Sequence, residues 1–96
     1  MKVEYSRQFL KESFRLSGKY KKSLQRIIAE VKSAEDIPQI PNCIKLVSYQ
    51  NYFRIRMGNY RLILLYQEAE RTIFFTLLLS REEVYKRLRD GLRNKG

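Results

Sequence analysis

The sequence predicts an α+β domain in which helices cover one face of an antiparallel sheet of three to four strands. Three observations predict this fold. Two amphipathic helical segments occupy the first third of the chain, a strand–turn–strand segment surrounds Gly58-Asn59, and an almost continuous apolar run spans 72–79. With 96 residues, of which 44% are hydrophobic, the chain is expected to form one domain, 1–96, with a single small core.

The N-terminal third predicts a short strand followed by an antiparallel helical hairpin. Met1 to Tyr5 is the strand candidate, and the Ser6 hydroxyl is placed to cap a first helix from Ser6 to Leu16. The apolar stripe of this helix contains Phe9, Leu10, Phe14 and Leu16. Ser17-Gly18 is expected to end it, because glycine supplies the chain reversal. A second helix is expected from about Lys19 to Ala34. Its apolar face contains Tyr20, Leu24, Ile27, Ile28 and Val31.

The connection between the helices and the main sheet contains Pro38 and Pro41, which forbid a helix and disfavour a central strand. Cys43 to Val47 is a short strand candidate after these prolines. Lys45, within it, is either exposed or faces the arginine cluster described below, and the sequence leaves both possibilities open.

The hairpin from Tyr52 to Tyr66 carries the most informative pattern in the chain. Glycine at the first position of the two-residue loop Gly58-Asn59 favours a type II′ turn, because glycine adopts a positive φ without steric cost. That loop fixes the opposed pairs as Met57 with Tyr60, Arg56 with Arg61, and Arg54 with Ile63. Since opposed and alternate residues share a face, Arg54, Arg56 and Arg61 are predicted on one side of the sheet.

The end of the chain predicts a central strand and a closing helix. Glu68 to Arg71 is a turn, and Thr72 to Leu79 is a strand that is apolar on both faces. Ser80 and Glu83 have the spacing of a capping box, which opens a helix. The apolar stripe of this last helix contains Val84, Leu88 and Leu92. The helices should cover the more apolar side of the sheet and leave the arginine side open.

The arginine side favours an anion site over a solvated outer surface. No Asp or Glu lies between positions 37 and 67, so no local sequence partner neutralises Arg54, Arg56 and Arg61. Arginine at all three positions suits bidentate contact with phosphate.

The overall charge of +10 points to nucleic acid, an anionic membrane surface or an acidic protein as partner. The polar face of the second helix carries Lys21, Lys22, Arg26 and Lys32. This face either binds an RNA backbone or is simply solvated, and the sequence leaves both possibilities open. With no His and one Cys, the sequence excludes the usual zinc sites and Ser-His-Asp or Cys-His catalysis. The charged start is unlike a signal peptide, and the short apolar runs predict no membrane span. The single cysteine, Cys43, cannot form an internal disulfide, which favours a cytoplasmic location. No metal and no cofactor are expected.

Residues Phe53 to Leu62, Phe-Arg-Ile-Arg-Met-Gly-Asn-Tyr-Arg-Leu, resemble the signature hairpin of the RelE/ParE toxin superfamily. Lys45-Leu46 upstream and the segment Ser80 to Tyr85 downstream match its flanking pattern. The resemblance implies a RelE-like fold and a toxin of a type II toxin–antitoxin system, with a cognate antitoxin as partner. RelE-type members cleave mRNA in the ribosomal A site, where the 2′-hydroxyl attacks the adjacent phosphate.

The resemblance also implies roles for individual residues. Arg54 and Arg56 match basic residues that bind the RNA and assist the chemistry. Arg61 matches the arginine that stabilises the charged phosphorane. Arg81 matches a basic residue serving the leaving oxygen or the phosphate, and Tyr85 matches the tyrosine that stacks on the substrate base. Lys45, in the matching upstream segment, joins the RNA-binding set.

Two departures from the family pattern leave the general base open. Many relatives have His where this chain has Ser80, and some have Lys where it has Arg54 and Arg56. Arginine cannot act as a base, because its pKa lies above about 12. The remaining candidates are Tyr85, Glu82, Glu83 and Lys45. Two other functions compete with mRNA cleavage, a ParE-like inhibitor of DNA gyrase and a non-catalytic basic RNA-binding module.

Overall fold

The computed structural model describes residues 1–83 and 86, and it contains a five-stranded sheet. The strands are β1 (Lys2–Tyr5), β2 (Cys43–Lys45), β3 (Tyr52–Met57), β4 (Tyr60–Gln67) and β5 (Thr72–Ser80). Their order across the sheet is β1-β5-β4-β3-β2. Strands β2 to β5 are antiparallel neighbours, whereas β1 pairs in parallel with β5. The α+β prediction is confirmed, and the N-terminal strand extends the predicted antiparallel sheet by a parallel edge strand.

The two helices form the connection between β1 and the rest of the sheet, as α1 (Arg7–Ser13) and α2 (Gly18–Ser33). The predicted cap is present, because the Ser6 hydroxyl accepts a hydrogen bond from the Phe9 amide at 2.9 Å. The same hydroxyl donates to the Thr76 carbonyl at 2.6 Å, which ties the start of α1 to β5.

The predicted end of the first helix was wrong. Helix α1 stops at Ser13, and the next amides, of Arg15 and Leu16, bond to carbonyls only three residues back. This tighter winding turns Leu16 into the core, where it is 5% exposed, and leaves Phe14 75% exposed. Gly18 begins α2 instead of ending α1.

The core lies between the helices and one face of the sheet. Phe9 of α1 packs on Phe75 of β5 with ring centroids 5.2 Å apart, and Tyr5 stacks beside both rings. Helix α2 contributes Leu24, Ile27 and Val31, all buried, so its predicted apolar face is confirmed. Leu10, 42% exposed, and Phe14 lie outside this core, contrary to the predicted stripe.

The loops follow the predicted order with local differences. A 3₁₀ turn at Ile37–Gln39 includes Pro38, which such a turn accepts at its first positions because the amide there needs no partner. Strand β2 ends at Lys45, two residues earlier than predicted, and Val47 is fully exposed. The predicted turn after β4 is a 3₁₀ turn, Glu68–Glu70.

The predicted capping box is present at the end of β5. The Ser80 amide donates to the Glu83 carboxylate and the Glu83 amide donates to the Ser80 hydroxyl, both at 3.3 Å. The predicted stripe of the last helix, with Tyr85, lies outside the described residues. Within residues 1–83 and 86, no helix is long and apolar enough to cross a membrane.

Candidate functional site

The hairpin between β3 and β4 has the predicted register. Met57 pairs with Tyr60, Arg56 with Arg61, and Arg54 with Ile63. Gly58 has a φ of 58°, and Asn59 is not among the residues with positive φ, as a type II′ turn requires. The turn therefore sets which side of the sheet each arginine occupies.

Arg54, Arg56 and Arg61 lie on the sheet face opposite the helices, which confirms the prediction. The intervening residues Ile55 and Met57 point into the helix-side core and are 2% and 4% exposed. The arginine face also has an apolar part beside the charges. Ile63 and Leu79 are buried there, and they pack with Leu46, Tyr52 and Leu77.

Arg61 is more enclosed than the sequence suggests, with only 7% of its surface exposed. Its Nη1 donates to the carbonyls of Gly58 at 3.0 Å and Tyr60 at 2.9 Å, the two residues that flank Asn59. One nitrogen of this guanidinium is therefore fixed by the backbone of the turn. Such a donor is preorganised, since it does not have to reorient when charge develops nearby.

Arg54 and Arg56 are more accessible and line a cavity of about 350 Å³ with Asn42 and Ile44. The Arg54 Nε is buried, and it has no hydrogen-bond partner in the part of the chain that the structure describes. A buried donor without an acceptor costs about 1–3 kcal/mol.

Two residues that line this cavity, Asn42 and Ile44, were not predicted from the sequence to belong to the site. Ile44 pairs directly with Arg54 across β2 and β3, so it shares the arginine face, and 54% of its surface is exposed. Asn42 has a φ of 58° just before β2 and also lines a second cavity of about 360 Å³, which Arg56 shares with Arg26 of α2. No local sequence signal marks either residue, because their position depends on the β2–β3 register.

Arg81 lies where the sequence predicted, at the end of the sheet beside the hairpin. Its amide donates to the Asn59 carbonyl at 2.8 Å, and the residue is exposed.

Lys45 is not brought to the arginines. It pairs with Phe53, which belongs to the helix-side core. The exposed Lys45 therefore lies on the helix side of the sheet, opposite the arginine face. Tyr85 falls outside the described residues, so its position relative to the arginines is untested.

The two ion pairs that the described part of the chain shows both involve residues away from the sheet. Those pairs are Arg15 with Glu12 at 3.7 Å and Arg26 with Glu30 at 3.5 Å, and both lie on the helices or their ends. Among the candidates for a general base, the Glu83 carboxylate is engaged in the capping box. The described residues contain no group of His, Cys, Asp and Glu that could hold a metal ion.

Comparison with known proteins supports the resemblance seen in the hairpin. The chain is similar to the toxin RelE3 of Methanocaldococcus jannaschii, with 33% identity over 86 residues that cover 88% of this chain and 96% of RelE3. Its structure is similar to the RelB–RelE antitoxin–toxin complex from Methanococcus jannaschii, with a TM-score of 0.75 and 28% identity over 88% of this chain and 96% of that one.

More distant structures share the fold. The archaeal RelE–RelB complex from Pyrococcus horikoshii OT3 matches with a TM-score of 0.70 and 22% identity, over 83% of this chain and 93% of that one. No protein-family model matches the chain. The identity to RelE3 nevertheless extends over nearly all of both sequences, and the predicted resemblance is confirmed: the chain belongs to the RelE family of toxins.

Proposed function

We propose that this protein is the toxin of a toxin–antitoxin pair and that it stops translation by cleaving mRNA on the ribosome. The observation that carries the proposal is the arginine face, where the buried Nε of Arg54 has no acceptor among the described residues. A phosphodiester provides oxygens that satisfy such a donor, and its charge is complementary to Arg54 and Arg56, which line the same cavity.

The proposed reaction is an in-line attack of an RNA 2′-hydroxyl on the adjacent phosphate. The new bond joins the 2′-oxygen to phosphorus and the bond to the 5′-oxygen breaks. The products are a 2′,3′-cyclic phosphate and a 5′-hydroxyl that takes up the proton. Negative charge builds on the phosphoryl oxygens during this step, so fixed guanidinium groups stabilise the transition state more than the substrate.

The proposal divides the site into a fixed donor and accessible binders. Arg61, held by the turn, stabilises the charged phosphorane, and Arg81 supports it from the sheet end. Arg54 and Arg56 bind the RNA backbone in their cavity. No residue is assigned as the general base, so catalysis rests on electrostatics and on the ribosome positioning the RNA.

The partner that restrains this activity is proposed to be a cognate antitoxin with an acidic, amphipathic segment. The similar toxins from Methanococcus jannaschii and Pyrococcus horikoshii were crystallised with RelB. A protein with a net charge of +10 and an open basic face is complementary to such a segment. Both partners are expected to act in the cytoplasm.

The decisive experiment is cleavage of mRNA on purified translating ribosomes, with the new ends mapped and tested for a 5′-hydroxyl. Arg61→Ala should lower the single-turnover rate by a factor of about 10²–10³, the usual cost of losing one such donor. Arg56→Ala should mainly weaken binding. The matched control is Lys11→Ala, which removes one exposed positive charge from α1 and should change the rate by less than about threefold.

The contrary results separate the competing functions. A folded Arg61→Ala protein that cleaves at the wild-type rate contradicts the electrostatic mechanism. A wild-type protein that leaves mRNA intact and inhibits DNA gyrase is ParE-like. One that binds RNA without cleaving it or inhibiting gyrase is a binding module.

Tyr85 is proposed to stack on a substrate base, a contribution of about 1–3 kcal/mol. Tyr85→Phe should therefore keep more activity than Tyr85→Ala in the same ribosome assay. Equal losses in the two variants would instead assign acid–base chemistry to the hydroxyl.

A further inference from the structure

We propose that Tyr20, on the helix side of the sheet, is a positioning residue for Arg61 on the other side. It acts by holding the backbone of the hairpin turn that fixes the guanidinium. This inference rests on the proposed role of Arg61 in mRNA cleavage.

The first observation is that the Tyr20 ring lies directly against the turn. A Cβ placed on Gly58 would be 2.8 Å from both the Cε1 and the hydroxyl oxygen of Tyr20. The Tyr60 ring on the other side of the turn meets the Tyr20 ring edge to face, with centroids 5.0 Å apart. Tyr20 thus touches both residues that flank Asn59.

The second observation is that the same two residues supply the acceptors for Arg61. Its Nη1 bonds to the carbonyls of Gly58 and Tyr60. The contacts therefore run from Tyr20 to the turn backbone and from the turn backbone to the guanidinium. A two-residue turn at the end of a hairpin is exposed, as Gly58 and Asn59 are here, so packing from α2 limits its motion.

The aromatic ring of Tyr20 makes the contact with Tyr60, and its Cε1 lies as close to the Gly58 Cβ position as its hydroxyl oxygen does. Within the described part of the chain the hydroxyl makes no hydrogen bond, and the contacts of the residue are those with Gly58 and Tyr60 and with the core. Tyr20→Phe preserves the ring and Tyr20→Ala removes it. The pair of variants therefore separates support of the turn from any chemistry of the phenol.

The test compares single-turnover cleavage of ribosome-bound mRNA by Tyr20→Phe, Tyr20→Ala and Tyr20→Leu. Tyr20→Ala should lower the maximal rate by about tenfold, equivalent to about 1.4 kcal/mol, while the concentration giving half-maximal rate changes little. The reason is that the side chains of Arg54 and Arg56, the proposed RNA binders, make no hydrogen bond to the turn within the described residues. Tyr20→Phe should stay within about threefold of wild type.

The control for general loss of packing is Ile28→Ala, another half-buried position of α2 that packs on the core. It should lower the melting temperature and leave the rate within about threefold of wild type. Tyr20→Leu keeps apolar volume at position 20 and provides a folded variant without the aromatic ring.

A second measurement does not depend on activity. Nitrogen NMR of the arginine side chains reports rotation about the Cζ–Nη bonds, which is slow for a guanidinium held by two carbonyls. Tyr20→Ala and Tyr20→Leu should speed rotation of Arg61, and Tyr20→Phe and Ile28→Ala should not.

The results that overturn the inference differ from those that overturn the proposed function. A wild-type protein that does not cleave mRNA ends the proposed function, and the NMR measurement still tests the positioning. Unchanged Arg61 rotation in the folded Tyr20→Ala or Tyr20→Leu protein overturns the inference. So does a rate loss in Ile28→Ala as large as that in Tyr20→Ala.

Discussion

Replacing Gly58 with alanine should destabilise the fold by about 2–5 kcal/mol, for two separate reasons. The residue has a φ of 58°, where a Cβ costs about 1–2 kcal/mol. The added Cβ would also lie 2.8 Å from two atoms of Tyr20 and 3.2 Å from a third, well inside the usual carbon contact of about 3.5–4.0 Å. Relieving an overlap of this kind costs about 1–3 kcal/mol.

The measurement is the free energy of unfolding in urea, followed by circular dichroism. Gly18→Ala is the matched control, because Gly18 begins α2 with open space around its Cβ position. That change should be neutral or stabilise the protein by up to about 1 kcal/mol. A double-mutant cycle with Tyr20→Ala separates the two costs, since only the overlap with Tyr20 disappears in that background.

Two results would refute this reasoning. If Gly58→Ala behaves like Gly18→Ala, the turn does not need a positive φ and the proposed hairpin geometry fails. If the cost of Gly58→Ala is the same with and without the Tyr20 ring, the ring does not press on the turn.

Three further predictions concern packing, capping and thiol chemistry. Phe9→Ala should lower the free energy of unfolding by about 3–5 kcal/mol because Phe9 is 1% exposed, whereas Phe14→Ala, at a position 75% exposed, should lower it by less than about 0.5 kcal/mol. Equal losses of the two variants in urea unfolding would contradict the packing. Ser6→Ala should cost about 1–2 kcal/mol because the hydroxyl both caps α1 and bonds to Thr76, and an unchanged urea midpoint would exclude that role. Burial raises the pKa of the Cys43 thiol to about 11, so at pH 8 iodoacetamide should react with it far more slowly than with the thiol of an unfolded chain. The reaction rate should rise with pH up to about pH 11, and a plateau near the ordinary thiol pKa would show that the thiol is not shielded.

The parts of the fold that follow from local chemistry could be read from the sequence. The hairpin register depends on Gly58 and its neighbours alone, and it placed three arginines on the correct face. The Ser6 cap and the capping box at Ser80 likewise depend on residues within one helical turn.

The parts that depend on distant residues could not be read in this way. The parallel pairing of β1 with β5 joins residues about 70 positions apart, and no local signal specifies it. Phe14 and Leu16 both suit an apolar stripe, and the change from α to 3₁₀ winding after Ser13 decides which of them is buried. The side of the sheet on which Lys45 lies follows from its pairing with Phe53, which the run Cys43 to Val47 does not reveal by alternation.

The sequence also could not show how differently the arginines are held. All three lie on the same face and have the same chemistry, yet Arg61 is nearly enclosed, Arg54 has a buried donor, and Arg56 is exposed. Arg61 is bonded to the turn carbonyls, and Arg54 pairs with Ile44 of the neighbouring strand. They divide one basic patch into a fixed donor and accessible binders, which a count of charges does not reveal.

The arrangement on this face has a cost that favours an anion site over a solvated surface. Opposed like charges such as Arg56 and Arg61 are unfavourable by about 0.2–1 kcal/mol. The unsatisfied Nε of Arg54 adds about 1–3 kcal/mol. A solvated patch would avoid the second cost, because water would reach the nitrogen and long side chains would separate. Places where a sequence departs from the rules of stable folding are expected at functional sites, and the buried Nε of Arg54 and the opposed Arg56 and Arg61 are two such departures on one sheet face.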